Sequence, residues 1–269
     1  MDYKNEVYKR QEEMIQDLIG LLKIPSLKQD SAQNAPFGVE LRKALDYVLD
    51  LGKKDGFKVK DYDGYAGVVE WGEGPEIMGL LGHLDVVPVG TGWTFDTFGA
   101  QIKDGYIMAR GSQDDKGPTM AAYYAMKILK ENGFKPSKRI HLIVGCDEES
   151  GMTCMDYYNK HGEIPDFGFV PDADFPVIYA EKGILNLSLS GQVNTVIDSI
   201  SAGERPNIVI GEATIVVKGD LKEKEFEFYQ TSHQIKGHCE IIEGKATYYL
   251  KGVFAHGSRP DEGINAAWH

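Results

Sequence analysis

A chain of 269 residues, 42% hydrophobic and 26% charged, can bury the core of one large or two ordinary domains, which excludes a disordered or membrane-embedded protein. Lys plus Arg number 29 against 41 Asp plus Glu, a formal net charge of −12, and no basic stripe alternates with aromatics, so nucleic acid is not an expected partner. The excess acid serves either a solvated surface or carboxylates gathered to hold cations, and composition alone favours the surface.

Two helices open the chain. Met14, Leu18, Leu21 and Leu22 recur at i, i+4, i+7 and i+8, and Leu41, Leu45, Val48 and Leu49 repeat that spacing before Gly52. Apolar runs predict strands over 57–62, 68–71 and 77–81, the last leading into Gly82-His83, and Asp104-Gly105 marks a tight turn between two short strands. Pro118 stands near the start of a helix carrying Met120, Tyr124 and Ile128 and stopping at Asn132-Gly133. A buried strand over 140–146, a helix over 152–160 and a strand over 167–170 follow. Strands separated by helices predict an α/β sheet with helices on its faces, where chemistry collects at the carboxyl ends of the strands.

Near Gly183 the pattern changes to alternating strands over 185–189, 212–217 and 245–254 with a helix over 223–235. The expected organisation is a domain over residues 1–185 and a smaller α+β unit over 186–269. Cys146, Cys154 and Cys239 include no C-x-x-C pair, which argues against a disulfide framework and a zinc ribbon and fits a reducing compartment. The N-terminus is densely charged and no run approaches the roughly 18 apolar residues of a membrane span, so the expected location is the cytoplasm.

Four segments concentrate His, Asp and Glu beside Gly or Pro: residues 82–88 around His83 and Asp85, 111–118 around Asp114 and Asp115, 146–151 around Glu148 and Glu149, and 170–174 around Asp172. Each follows a strand or precedes a helix, so all four can meet at one sheet edge. One imidazole with several carboxylates suits zinc or a related divalent ion. His83 and Asp85 share a face at period two, which lets the carboxylate accept the imidazole N–H and fix its tautomer. Taken alone, Asp114 and Asp115 read as helix caps, and Glu148 and Glu149 read equally well as acids at a helix N-terminus. In extended backbone the two glutamates point opposite ways, leaving one free to bind metal and the other to exchange protons with water. His141 lies inside an apolar strand and reads as a core histidine; Met120 and Met126 read as core. No nucleophile elbow, H-E-x-x-H, P-loop or dinucleotide fingerprint is present.

The four segments in this order resemble the dinuclear zinc peptidases and deacylases that include carboxypeptidase G, aminoacylase-1 and succinyl-diaminopimelate desuccinylase. Asp114-Asp115-Lys116-Gly117-Pro118 and Pro171-Asp172-Ala173-Asp174-Phe175-Pro176 look like the dipeptidase branch of the PepV and carnosinase type, where desuccinylases usually have D-M-K-G. The resemblance implies a catalytic domain with helices on both faces of a mixed sheet and a ferredoxin-like lid. It implies two zinc ions: His83 and Asp172 on the first, Asp114 bridging, and Glu149 on the second. Asp85 would orient His83, Glu148 would act as general base, and His256, in Ala255-His256-Gly257-Ser258-Arg259-Pro260, would stabilise the oxyanion. The family's remaining second-zinc histidine lies near the end of a longer chain, whereas this sequence ends at Trp268-His269. The expectation is therefore a full first site, a weak second site and self-association over uncovered apolar surface. The implied activity is hydrolysis of dipeptides; N-acyl amino acid deacylation and an inactive binding protein are the alternatives.

Overall fold

The structure is a computed structural model and describes residues 2–268 apart from 91, 175, 181, 184 and 204, so Phe175 and the terminal His269 lie outside the described residues. It divides into two compact units, Met1–Ile178 and Tyr179–His269.

In the first unit the chain forms α1 (Tyr3–Leu22), α2 (Val39–Lys54), β1 (Lys58–Tyr62), β2 (Ala66–Trp71) and β3 (Ile77–His83). It continues with the hairpin β4 (Gln101–Lys103) and β5 (Tyr106–Met108), then α3 (Lys116–Glu131), β6 (Arg139–Gly145), α4 (Thr153–His161) and β7 (Phe167–Phe169). Five strands make one mixed sheet in the order β1-β2-β6-β3-β7; β1, β2 and β6 are antiparallel neighbours, whereas β6, β3 and β7 run parallel.

Period-two alternation sorts the core. Val69, Met78, Leu80, Leu142 and Val144 join a cluster with Leu21, Leu45, Met120 and Tyr123 from α1, α2 and α3. Their chain neighbours Val68, Leu81 and Ile143 join a second cluster with Tyr158 of α4, so helices cover both faces of the sheet. Each fully buried Leu or Val contributes roughly 1.5–3 kcal/mol. The helices are also tied by polar contacts: Lys127 Nζ donates to Glu13 and Asp55, Tyr123 to Asp55 at 2.6 Å and Tyr124 to Asp17 at 2.5 Å. His141 is buried opposite Glu70, to which its Nε2 lies at 2.9 Å, and Met120 and Met126 are in the core as expected.

The second unit contains β8 (Ile197–Ala202), β9 (Ile208–Val209), β10 (Glu212–Val217), α5 (Glu223–His233), β11 (Lys236–Ile242), β12 (Lys245–Lys251) and β13 (Ala255–His256). Four of these strands form an antiparallel sheet, β11-β12-β10-β8, on which α5 sets Phe226 against Ala213, Ile235 and Leu250. A two-stranded ladder of β13 on β9 places His256 opposite Ile208.

Three sequence expectations need correction. Residues 185–189 form no strand despite their alternation; Leu185, Leu187 and Leu189 are 79%, 75% and 94% exposed, because a period-two pattern supplies a face but not a ladder partner. The helix expected to reach 235 stops at His233, where Gln234 turns left-handed at φ 55°. The strand expected over 245–254 ends at Lys251. Among the described residues no helix is long and apolar enough to cross a membrane.

Candidate metal centre

Because β3, β6 and β7 are parallel, their carboxyl ends lie at one edge of the sheet. His83 is the last residue of β3, Glu148 and Glu149 follow β6 in a turn, and Asp172 follows β7. Asp114 joins them from the segment entering α3, after which the Asp114–Asp115 peptide is cis. His83 Nε2 stands 3.1 Å from Asp114 Oδ1, 3.4 Å from Asp172 Oδ2 and 4.0 Å from Glu148 Oε2. Two three-ligand groups share that imidazole, one with Asp114 and Glu149, the other with Glu148 and Asp172; within each, the ligand atoms lie within 4.8 Å of one another.

The supporting groups were only partly expected. His83 Nδ1 lies 3.0 Å from the backbone carbonyl of Asp85, while the Asp85 carboxylate oxygen is at 3.5 Å. The carbonyl, rather than the carboxylate, is thus the closer partner that holds the imidazole. The buried Asp85 carboxylate instead accepts the N–H groups of Glu148 and Glu149, each at 3.0 Å. These glutamates sit in a turn, not in the extended backbone assumed from the sequence.

Neither aspartate of the pair is a side-chain helix cap. Asp115 occupies the position before α3 yet makes no capping bond; its Oδ2 accepts the N–H of His83 at 3.0 Å and the hydroxyl of Thr119 at 2.8 Å. Gly82 makes this approach possible, since a Cβ there would meet Thr119 Oγ1 at 2.0 Å and Asp115 Oδ2 at 2.7 Å. The acid that serves the first turn of α4 is Asp147, which accepts the N–H of Thr153 at 3.3 Å. Asp147 escaped sequence reading, and Asp115 was read only as a cap, because each is next to a better candidate and adjacency does not say which acid turns inward.

The donor set suits a cation on a simple proton count. A carbonyl can only accept, so Nδ1 carries the hydrogen and the lone pair of a neutral imidazole at Nε2 faces carboxylate oxygens. That arrangement is repulsive unless a proton or a metal ion lies between them. Burial opposes protonation of His83, but hydrogen bonds to Asp114, Asp172 and Asp85 outweigh it and raise the imidazole well above its ordinary range. Asp114, bonded to His83, is held below the usual carboxylate range. Burial raises Glu148, and pushes Glu149 up to about 7 and Asp115 up to about 6.

These shifts set a pH dependence for the metal-free chain. A raised folded-state pKa contributes stability that is complete below the unfolded value and is lost as pH rises toward the folded one. The His83 contribution is therefore present below the imidazole range and declines above it. Melting with chelator present is expected to fall between about pH 6 and about pH 8.5, with a smaller fall in His83→Ala and in zinc-loaded protein. Equal slopes in the original and substituted chains would contradict this account.

His256 belongs to the second unit, where its Nδ1 is 2.7 Å from Ser258 Oγ.

A His-carboxylate cluster at the carboxyl ends of the parallel strands of a mixed sheet, with helices on both faces, is the kind of site that can hold a divalent cation. The sequence profile described as "Peptidase family M20/M25/M40" matches residues 79–244, more than half of the chain, and the chain belongs to that family. It is 42% identical over 279 aligned positions to "Putative dipeptidase YtjP" of Bacillus subtilis, covering 99% of this chain and 60% of that protein. A "Putative dipeptidase" of Staphylococcus epidermidis is 41% identical, with 98% and 59% covered. The chain thus spans about 60% of the length of these relatives. The fold is shared with human carnosine dipeptidase 1 (TM-score 0.53, 16% identity, 98% of this chain and 72% of that one). It is also shared with the dipeptidase Dug1p of Saccharomyces cerevisiae (TM-score 0.56, 16% identity, 88% and 53%).

Proposed function

We propose that the chain carries the hydrolytic centre of a metal-dependent cytoplasmic dipeptidase. The observation that carries the reading is His83 Nε2 beside Asp114 and Asp172, at 3.1 and 3.4 Å, with Glu148 at 4.0 Å. His83, Asp114 and Asp172 would hold one zinc ion, and Asp114 and Glu149 would hold a second. When bound, zinc supplies Lewis acidity that makes water a nucleophile near neutral pH and polarises a carbonyl.

The protein groups then divide the work. Glu148 takes the proton of the attacking water and returns it to the leaving amine, for which its raised affinity for protons is suited. Asp85 holds the Glu148–Glu149 turn by two backbone bonds and offers its own carbonyl to His83. The oxyanion role of His256 is carried by the resemblance of its motif alone.

Zinc-supplemented protein is expected to hydrolyse unblocked dipeptides in preference to N-acetyl and N-succinyl amino acids. The reverse preference would assign it to deacylation, and hydrolysis of neither would leave a binding protein. Exposed Leu185, Leu187 and Leu189 support self-association, expected as concentration-dependent mass in light scattering; a monomer at every concentration counts against it.

A further inference from the structure

The segment after α1 lies outside the residues matched to the family profile, yet it touches three of the four loops of the centre. At its start the Ile24 carbonyl, together with that of Leu21 in the last turn of α1, accepts the buried ammonium of Lys116 at 2.8 and 3.1 Å, which fixes the residue two positions after Asp114. In its middle the fully buried Ser26 donates its hydroxyl to the Leu84 carbonyl at 2.6 Å, while its backbone carbonyl accepts the N–H of Val86 at 3.1 Å, so the residues on both sides of Asp85 are held. Leu27 extends this as a parallel bridge to Val86. At its end Lys28 Nζ donates to Asp147 Oδ1 at 2.6 Å. Asp147 is fully buried and immediately precedes Glu148. The Lys28 ammonium also lies 5.5 Å from the Phe37 ring, while Gln29 N–H donates to the Phe37 carbonyl at 2.9 Å, so the far end of the segment is itself anchored.

We propose that residues 24–28 form a strap that positions the metal-binding loops relative to one another, with Ser26 and Lys28 as positioning residues. The proposal rests on the metallohydrolase reading for its kinetic consequences, but its geometric content is independent of substrate. Ser26 sets the His83–Asp85 loop through its hydroxyl on the Leu84 carbonyl, the bond that Ser26→Ala removes, and through its main-chain carbonyl on the Val86 N–H, which alanine keeps. Lys28 acts on the Glu148–Glu149 turn through Asp147, the residue before it, whose carboxylate it neutralises and which also accepts the N–H of Thr153 at the start of α4. Two buried carboxylates thus flank the turn in its bonding: Asp85 accepts the N–H groups of Glu148 and Glu149, and Asp147 accepts that of Thr153.

The test uses Lys28→Met, Lys28→Arg and Ser26→Ala, with zinc affinity from chelator competition, kcat and KM on a dipeptide, and melting temperature. Removing groups that orient metal ligands commonly costs about 10–100-fold in metal affinity or activity. Lys28→Met and Ser26→Ala are expected to weaken zinc binding by at least about tenfold, and Lys28→Met to lower kcat by a similar factor with KM within about twofold. Lys28→Arg is expected to recover most of both, because it restores the cation on Asp147. Unchanged zinc affinity in Lys28→Met and Ser26→Ala overturns the strap. So does a Lys28→Met defect that Arg fails to rescue and that follows melting temperature alone. If the unsubstituted protein hydrolyses no dipeptide, the functional reading fails while the zinc measurements still decide the strap.

Discussion

Glu148→Ala is expected to lower dipeptide turnover by about 10²–10⁴-fold while leaving zinc binding nearly intact. In the proposed role Glu148 carries the proton: its Oε2 lies 4.0 Å from His83 Nε2, it is partly open to solvent, and burial raises its affinity for protons. Its main chain does not depend on the carboxylate, because the Glu148 N–H is fixed by Asp85 at 3.0 Å. Removing the carboxylate should therefore delete a proton carrier without disturbing Asp114 or Asp172. The geometry also offers the opposite assignment, since ligand atoms of His83, Glu148 and Asp172 lie within 4.8 Å of one another. Paired kinetics and zinc titration separate the two. Loss of metal together with activity would exchange the roles of Glu148 and Glu149.

Asp85→Asn is expected to cost less in turnover but to weaken zinc binding as well, by a different route. Asp85 is 1% exposed, and its two oxygens accept one N–H each, from Glu148 and Glu149. An amide keeps the size but presents one oxygen and one NH₂, so one backbone N–H must face another donor. Leaving a buried donor unsatisfied costs about 1–3 kcal/mol. The turn should shift, and both glutamates with it, lowering zinc affinity and turnover by about 10–100-fold. The His83 contact to the Asp85 carbonyl survives the substitution, so a residual zinc site at His83, Asp114 and Asp172 is expected. A variant with unaltered zinc affinity and kcat would show that the two N–H bonds do not govern the turn.

Much of the first unit was legible because its signals are periodic. The Leu18/Leu21/Leu22 and Leu45/Val48/Leu49 spacings place helices, and 140–146 reads as a buried strand that the structure shows as β6. The meeting of His83, Asp114, Glu148, Glu149 and Asp172 follows from parallel strands ending at one edge, although which of β3, β6 and β7 are neighbours is a long-range fact that local pattern does not contain. Illegible residues share one property: their partners are remote in sequence. Ser26 reaches Leu84, Lys28 reaches Asp147, and Lys116 reaches Ile24. A serine or lysine between two helices reads as loop until the tertiary contact is known. Leu185, Leu187 and Leu189 fail in the opposite sense, having a clear alternation and no neighbouring strand in the described residues.

The alternation along β3 ties the core to the chemistry. Leu80 and Leu81 belong to different faces, and His83 closes the same strand two positions beyond Leu81. Deleting one residue between 77 and 82 would invert the parity of everything on one side of the gap, so either the leucines trade hydrophobic clusters or the imidazole turns to the wrong face. Length changes in this strand should thus be far less tolerated than substitutions, and any viable insertion there should come in twos.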